Sequence, residues 1–574
     1  MKTFGDYHDI YLKTDVLLLA DIFENFRKLC LNYYRLDPVH YFGTPGIAWD
    51  ACLKMSRETL ELITDPDMYL FVESAKRGGM SFIGHRHAKA YNKYMTNFDP
   101  TNESSYLMYF DANSLYSKAM CYPLPVGNFK WLETSRKKFI LKSFKEKNYN
   151  FLVECNIKYP EKLHDLHNDY PLAPEKMVID DKFKNLTYCE KIRTKIEEEF
   201  DNVKMRKSKV PKLVSTLTDK KNYVVHARLL YYYLKLGLKV KPIRILTFDE
   251  KPWMKPFIEF NIDKRTKATN DFEINFFKLM NNSVYGKTME NVRKRCNHAV
   301  VTSEDAALKH IANPSFKNLI KINNKFILID KYKTNVKLIK PIYVGVAVLD
   351  YSKLIMYKYH YGLFKNFYGN KARLLMTDTD SLFYEIKTED VYKDLFSDDS
   401  KLEPNDMFKK AFGKDTKIKD LFDTSNFKKT NPYYSEVNKK VSGLLKCENA
   451  DNIIARFGGN KSKNYAFASA EEYEDFLTNQ DKSKLVRCKG TVRSTIRDNI
   501  TIDSIISTIF NSTITKHDNY CIRSKKHQLG IYKINKVSLS CYDDKRFILD
   551  DGITSYAHGH YKIKDYLKNY VLTL

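Results

Sequence analysis

The chain has 574 residues, a length that suggests about three to four domains. Its hydrophobic fraction of 43% is enough for each domain to have an apolar core. Its 96 lysines and arginines exceed its 70 aspartates and glutamates, so the net charge is +26 at pH 7. With 14% aromatic residues, this surplus favours nucleic acid as a partner, because Lys and Arg attract phosphate. The ten cysteines lack C-x-x-C and zinc-type spacing, and no run of about 18 apolar residues is present, which argues against a zinc site and a membrane span.

The N-terminal part is predicted to be helical. An amphipathic helix is expected over residues 7–35, and a second helix is expected over 46–62. The apolar face of the first helix needs a packing partner, and little chain precedes it. That face comprises Leu12, Val16, Leu19, Phe23, Phe26 and Cys30.

The first of three short polar segments is Asp111-Ala-Asn-Ser-Leu-Tyr116. It follows the apolar, β-prone run Tyr106–Phe110, which is predicted to be a strand that ends at Asp111. Tyr116 lies five positions beyond Asp111, where its ring could exclude a 2′-hydroxyl from a sugar pocket. Its alternative role is core filling. Residues 186–240, which come next, are predicted to be mainly helical.

The second segment, Lys278–Gly286, lies on a predicted helix over Asp271–Glu290. At about 100° per residue, Lys278, Asn282 and Tyr285 share one side. A lysine there suits a triphosphate, a tyrosine can stack on a base, and Gly286 permits close approach. The alternative is an ordinary solvated polar face. The other side is predicted to be core and comprises Phe272, Phe276, Leu279, Met280 and Ser283.

The third segment, Asp378-Thr-Asp-Ser381, lies between two apolar runs, and this pattern predicts a β-hairpin. In extended chain the side chains of Asp378 and Asp380 point to one face. The polar stretch 388–440 is expected to be a surface insertion, and the residues after about 490 are expected to form a basic unit.

Carboxylates in this arrangement fit metal-dependent phosphoryl transfer. Two Mg²⁺ ions roughly 4 Å apart can activate a 3′-hydroxyl and stabilise leaving pyrophosphate. Mg²⁺ prefers oxygen ligands, which Asp111, Asp378 and Asp380 would supply if the fold brings them together. The alternative for each is a turn aspartate bonded to its own backbone.

The three segments resemble motifs A, B and C of family B DNA polymerases of the protein-primed branch, most closely those of Maverick/Polinton elements and related viruses. Lys463-Asn-Tyr465 is similar to the family's primer-contacting Lys-x-Tyr motif, and Arg77-Gly78-Gly79 resembles its template-gripping linker. Three further stretches also match the element-type polymerases: Tyr170–Glu175, Phe422–Asn426 and Ile522–His527.

The resemblance implies an α+β right hand of palm, fingers and thumb. It implies metal binding by Asp111 and Asp380 with Asp378 in support, a sugar gate at Tyr116, and a nucleotide pocket that includes Lys278, Asn282, Tyr285 and Gly286. It implies DNA contacts by Arg77, Gly78, Gly79, Lys463 and Tyr465. The expected division is an exonuclease remnant at 1–66, a linker at 67–105, palm and fingers with inserted terminal-protein and processivity regions at 106–490, and a thumb with a basic C-terminal region at 491–574.

Tyr11 and Asp15 resemble the third exonuclease motif of the family, Tyr-x-x-x-Asp. At i, i+4 on a helix both side chains share a face. The resemblance places the two other acidic exonuclease motifs upstream of this one, and only ten residues of the sequence precede Tyr11. We therefore expect the chain to lack proofreading.

The sequence thus predicts an intracellular DNA polymerase that extends a primer with dNTPs and Mg²⁺, for which Mn²⁺ could substitute. We expect it to act with a terminal protein primer on element or viral DNA, in the nucleus or at a viral replication site. One alternative is a decayed element-derived protein that binds nucleic acid without chemistry. A reverse transcriptase or RNA polymerase palm is another, against which the Asn-Ser-x-Tyr-Gly helix and Tyr116 argue.

Overall fold

The structure is a computed structural model that describes residues 3–96, 98–133, 136–179, 187–199, 210–323, 325–470, 486–525 and 528–571. It divides the chain into two compact units. The first unit comprises residues 1–76, 116–132 and 246–348, and the second comprises 77–115, 133–245 and 349–574. Both units mix helices with largely antiparallel strands, as the predicted α+β class requires. The unit boundaries do not follow the four predicted segments, whose functional assignment stays a prediction.

The first unit is mainly helical. Its helices are Phe4–Tyr34, Thr44–Ser56, Pro66–Ser74, Lys255–Lys267, Asp271–Thr288 and Glu304–Ile311, with 3-10 turns at Pro38–His40 and Val292–Lys294. Its strands are Leu124–Trp131, Cys296–Val301, Phe316–Lys321 and Ile327–Tyr332. Three elements span the unit boundaries along the chain: helix Leu115–Met120, strand Lys239–Lys251 and helix Ile342–Tyr357.

A ten-stranded sheet forms the core of the second unit within its described residues. Strand Ser105–Ala112 is central and is buried along most of its length, which explains its nearly continuous apolar sequence. The strands along the main path, in spatial order, are Ser81–Ile83, Ala372–Asp378, Ser381–Lys387, Ser105–Ala112, Ile454–Lys461, Asn464–Ser469 and Val486–Cys488. Strands His87–Lys89, Phe422–Asp423 and Leu445–Cys447 complete the sheet.

The other elements of the second unit are not part of this sheet. The remaining strands are Phe151–Lys158, Glu175–Met177, Lys212–Val214, Lys220–His226, Ile514–Lys525, Gln528–Ser540, Phe547–Ile548 and Ser555–Tyr556. The helices are Arg136–Lys145, His164–His167, Thr187–Glu199, Ala227–Lys235, Lys365–Tyr368, Val391–Phe396, Asp406–Phe412, Arg493–Asn499, Ile502–Phe510 and Tyr561–Val571. Lys358–Phe364 is a π-helix, and Glu161–Leu163, Gly369–Lys371 and Ile418–Leu421 are 3-10 turns. Among the described helices, none combines the length and apolarity needed to cross a membrane.

The N-terminal helix, Phe4–Tyr34, matches the predicted helix closely, but most of its predicted apolar face is exposed. Only its C-terminal end packs in the unit: Cys30 and Tyr34 are buried, and the Phe26 ring contacts that of Phe276 at 5.4 Å. The exposed apolar side chains are Phe4, Tyr7, Ile10, Tyr11, Leu12, Val16, Leu17, Leu18, Leu19, Ile22 and Phe23.

Three other predictions need correction. The second helix ends at Ser56 and not at 62, because Arg57 adopts a left-handed conformation with φ of 53°. Part of the predicted helical stretch 186–240 is strand Lys220–His226, which pairs with Phe151–Lys158. The stretch 388–440 is not confined to the surface, because Phe396 and Phe422 are buried and their ring centroids lie 5.1 Å apart.

Candidate active site

Two of the three polar segments meet at one edge of the large sheet. Strands Ser105–Ala112 and Ser381–Lys387 are antiparallel neighbours, and Asp111 is opposite Ser381 in their register. The backbone N–H of Ala112 donates to the carbonyl of Asp380 at 2.7 Å. Asp111 and the turn Asp378–Asp380, here named the aspartate turn, are therefore held together by main-chain pairing, which is the condition that the proposed metal site set.

The aspartate turn is tight. Thr379 has φ of +70°, a left-handed conformation unusual for a β-branched residue. The N–H of Asp380 donates to the carbonyl of Asp378 at 2.9 Å, and the N–H of Thr379 donates to the carbonyl of Met80 at 2.7 Å. The backbone of Met80 thus supports the turn from a separate part of the chain.

The electrostatics around Asp380 favour a cation. Burial raises the pKa of Asp380, and the carboxylates of Asp378 and Glu448 raise it further, while a hydrogen bond from its own backbone N–H and the Lys463 ammonium partly offset them. A carboxylate destabilised by burial and by like charges gains from a nearby positive ion.

The Lys-x-Tyr motif contacts both strands that carry the aspartates, through Lys463 at Asp378 and through Tyr465 at Tyr109. Lys463, in the turn between strands Ile454–Lys461 and Asn464–Ser469, places its Nζ 2.8 Å from Asp378 Oδ1 and 2.9 Å from Oδ2. The hydroxyl of Tyr465 lies 3.0 Å from that of Tyr109, two residues before Asp111. Asp378 is thus paired with Lys463, which is consistent with the expectation that it supports the metal-binding residues Asp111 and Asp380 and does not bind the metal alone.

The segment Arg77–Met80, here named the glycine segment, also reaches the aspartate turn. A Cβ added at Gly79 would lie 2.3 Å from Thr379 Cγ2, so only glycine allows this approach. The guanidinium of Arg77 donates to the carbonyl of Val224 at 2.6 Å and lies 3.7 Å from the ring centroid of Tyr223. The side chain that the sequence predicted to contact DNA is therefore directed into the protein interior, while Gly78 is exposed.

The donor chemistry of this edge suits Mg²⁺, since its acidic residues offer hard oxygen ligands. Within the described residues, no group of three or more His, Cys, Asp or Glu side chains forms a complete metal site. Mg²⁺ is compatible with this result, because it commonly takes one or two carboxylates and completes its shell with water and substrate phosphates. Asp111 and Asp380 fit that requirement.

The third polar segment lies in the first unit on helix Asp271–Thr288, here named the motif helix. Lys278, Asn282 and Gly286 are exposed and follow one another at four-residue steps, so they share a face. The buried face differs in part from the prediction, since Phe272 and Leu279 are 38% and 45% exposed. The buried residues are Phe276, Phe277, Met280, Asn281, Val284 and Thr288.

A buried amide network anchors the motif helix. The hydroxyl of Tyr34 donates to Asn261 Oδ1 at 2.5 Å, and Asn261 Nδ2 donates to Asn281 Oδ1 at 2.7 Å. Buried amides fix orientation because each donor and acceptor needs its partner. Asn281 directly precedes Asn282, so the network sets the rotation of the exposed face.

Tyr116 and Tyr285, both in the first unit, form a stacked pair. Their ring centroids are 4.9 Å apart, and their planes differ by 11°. Burial raises the pKa of Tyr285, and Tyr116 adds to the shift, so the Tyr285 hydroxyl stays protonated. The structure brings together the two tyrosines that the sequence placed 169 positions apart.

The sequence reasoning missed a basic cleft beside the aspartate turn. The cleft has a volume of about 750 Å³, and Asp378, Lys463 and Tyr465 line one part of it. The other lining residues include four cations: Arg487, Lys489, Arg493 and Arg497. The i, i+4 spacing of Arg493 and Arg497, just after the alternating Arg487 and Lys489, was the available signal.

Tyr11 and Asp15 lie on the exposed part of the N-terminal helix. A hydrogen bond to Asp15 raises the pKa of Tyr11 and shows that the two side chains share a face, as predicted. The expectation that the chain lacks proofreading stays a prediction.

Two solved structures and one family model are similar to this chain. Phi29 DNA polymerase in an orthorhombic crystal form is similar over 87% of this chain and 68% of its own, at 13% identity and a TM-score of 0.47. Phi29 DNA polymerase complexed with primer–template DNA is similar over 94% of this chain and 73% of its own, at 14% identity and a TM-score of 0.49. No curated protein matches the sequence.

The family model for DNA polymerase type B, organellar and viral, matches residues 4–361, which is more than half of the chain. The chain therefore belongs to the organellar and viral type B family of DNA-directed DNA polymerases.

Proposed function

We propose that this chain catalyses template-directed addition of deoxyribonucleotides to a primer 3′-hydroxyl. The observation that carries the proposal is the pairing of Asp111 opposite Ser381, with Asp380 bonded to Ala112 at the same strand end. Family membership supports the reaction class. The direct test is extension of a DNA primer on a DNA template by the purified chain with Mg²⁺ and dNTPs, which Asp380→Asn should abolish.

Asp111 and Asp380 would hold the divalent cations. When bound, two Mg²⁺ ions would make the 3′-hydroxyl a better nucleophile and neutralise the charge that develops on pyrophosphate. Lys463 Nζ lies within 2.9 Å of both oxygens of Asp378, which orients that carboxylate beside Asp380. Because phosphoryl transfer depends on positioning and electrostatics, these roles need no covalent intermediate.

The motif helix would bind the incoming nucleotide. The side chain of Lys278 is exposed and ends in a compact ammonium group. An ammonium can bind phosphate from several directions, whereas a guanidinium prefers one planar arrangement, so a lysine suits a flexible triphosphate. Asn282 and Gly286 continue the same face, and the stacked rings of Tyr116 and Tyr285 offer an aromatic surface for base and sugar.

Tyr116 is proposed to exclude ribonucleotides. Replacing Tyr116 by valine should raise the ratio of ribonucleotide to deoxyribonucleotide incorporation at least about tenfold, because the methyls leave room for a 2′-hydroxyl. Competitive single-nucleotide incorporation measures this ratio. Tyr332→Val, which replaces an exposed tyrosine of the same unit, should leave it unchanged. An unchanged ratio in Tyr116→Val would reduce Tyr116 to a packing residue.

The basic cleft is proposed to bind the DNA strand that ends at the aspartate turn. Its four cations provide phosphate contacts, and Lys463 and Tyr465 form its end nearest the carboxylates. A cluster of this kind gives salt-dependent affinity that is independent of sequence.

We also propose that the chain folds as palm, fingers and thumb with an N-terminal exonuclease remnant. We propose further that it uses a terminal protein as primer and is affiliated with Maverick/Polinton elements or related viruses. The motif resemblance supports these assignments. An intracellular site of action, in the nucleus or at a viral replication site, follows from that affiliation. The alternative, a nucleic-acid-binding protein without chemistry, predicts DNA binding without extension.

A further inference from the structure

A buried ion pair lies in helix Ile342–Tyr357, one turn apart at Asp350 and Lys353. Each side chain is 3% exposed, and Lys353 Nζ is 3.8 Å from Asp350 Oδ1. Asp350 Oδ2 also accepts from the backbone N–H of His226 at 2.9 Å. A charged pair in this position carries a large desolvation penalty that packed apolar residues would avoid. Its presence therefore calls for a reason besides stability.

The ammonium of Lys353 is directed at the glycine segment. It donates to the carbonyl of Arg77 at 2.7 Å and to the carbonyl of Leu349 at 3.0 Å. Because the Arg77 guanidinium donates to Val224, both the backbone and the side chain of this residue are fixed. The start of the glycine segment is thus bound on two sides within the second unit.

The other end of the glycine segment is bound to the aspartate turn. The carbonyl of Met80, three residues after Arg77, accepts from the N–H of Thr379 at 2.7 Å. Ser81 then pairs with Asp378 in the sheet register, and Gly79 leaves no room for a Cβ against Thr379. The glycine segment therefore connects Lys353, at its first residue, to the turn that carries Asp378 and Asp380, at its last residue.

We propose that Asp350 and Lys353 are positioning residues for nucleotidyl transfer. Lys353 fixes the carbonyl of Arg77, Asp350 lies 3.8 Å from the Lys353 ammonium and orients it, and the glycine segment transmits this constraint to the aspartate turn. The inference rests on the proposed function of Asp378 and Asp380. It adds two residues that touch neither substrate nor metal, yet set the position of the groups that do.

Lys353→Met tests the proposal, since methionine keeps the length of the side chain and removes the ammonium. At saturating primer–template and dNTP, the single-turnover extension rate should fall about 10- to 100-fold, because small misplacements of reacting groups have effects of that size. The affinities for primer–template and dNTP should stay within about twofold of wild type. Asp350→Asn should act in the same direction, with a smaller loss.

The matched control is Asp394→Asn. Asp394 is a buried aspartate whose carboxylate accepts from Tyr368 and Thr388. Its replacement perturbs a buried polar site of the same unit away from the glycine segment, so the extension rate should stay within about twofold of wild type. Thermal unfolding of all variants separates loss of fold from loss of rate.

A double-mutant cycle tests the route of action. If Lys353 acts through the glycine segment, Lys353→Met combined with Gly79→Ala should lose less than the product of the two single losses. Fully multiplicative losses would overturn the route. An unchanged rate in folded Lys353→Met, or reduced DNA affinity with an unchanged rate at saturation, would overturn the positioning role.

Two further outcomes are decisive. If Lys353→Met does not fold, Asp350→Asn decides the inference by the same rate and affinity criteria. If the wild-type chain and Asp394→Asn both bind DNA without extending it, the proposed function fails and the inference fails with it. Active wild type with an unaffected Asp350→Asn and Lys353→Met overturns the inference alone.

Discussion

Asp380→Asn should abolish primer extension, with a loss of at least about 10³-fold in the single-turnover rate. A metal ligand supplies several kcal/mol of transition-state stabilisation, and each 1.36 kcal/mol corresponds to about tenfold in rate. Asparagine keeps the shape of the side chain and removes the charge. Primer–template affinity should be retained, because no DNA-binding cation is lost.

The fold of Asp380→Asn should be as stable as wild type, or more stable, in metal-free buffer near neutral pH. Burial and the carboxylate of Asp378 raise the pKa of Asp380, so its ionised form is less favourable in the folded chain than in the unfolded chain. Above the raised pKa, removing the charge therefore removes a destabilising contribution. Thermal unfolding in a chelator measures this effect, with Asp394→Asn as the control. Near wild-type extension by Asp380→Asn would exclude Asp380 as a metal ligand.

Gly79→Ala should reduce extension about 100-fold while leaving a folded protein. The new Cβ would lie 2.3 Å from Thr379 Cγ2 and 2.6 Å from Oγ1, so the glycine segment or the aspartate turn must shift. Overpacking of this kind costs about 1–3 kcal/mol in stability, and displacement of the turn misplaces Asp378 and Asp380.

A second substitution tests this explanation. Thr379→Gly in the Gly79→Ala chain removes the clashing methyl and hydroxyl, and glycine accepts the φ of +70° at this position. The double variant should regain part of the lost rate. Gly78→Ala is the matched single control, since a Cβ at Gly78 meets nothing within 4 Å. Equal losses in Gly78→Ala and Gly79→Ala would contradict the steric account.

Patterns of short range predicted the aspartate hairpin and the exposed face of the motif helix. The apolar runs on either side of Asp378-Thr-Asp-Ser381 are short and continuous, and a polar turn separates them, which is typical of two buried strands joined by a hairpin. Lys278 and Asn282 share a face simply because they are four residues apart on a helix. The metal-site hypothesis required Asp111 to lie beside the aspartate turn, and the strand register places Asp111 opposite Ser381, directly after that turn.

Contacts between distant parts of the chain could not be predicted from the sequence. The side chain of Arg77 binds Val224, 147 positions later, and no local pattern distinguishes an interior arginine from one that contacts DNA. The N-terminal helix had a clear apolar period, but periodicity cannot show which part of the face finds a partner. For the same reason the basic cleft was missed, because its residues come from separate elements.

Primer extension by the purified wild-type chain tests the central claim most directly. The assay combines an end-labelled DNA primer on a DNA template with Mg²⁺ and dNTPs, and a matched RNA template serves as a control. We predict template-directed extension on DNA that Asp380→Asn abolishes. A folded chain that binds the primer–template and does not extend it would contradict the account, as would equal extension on the RNA template.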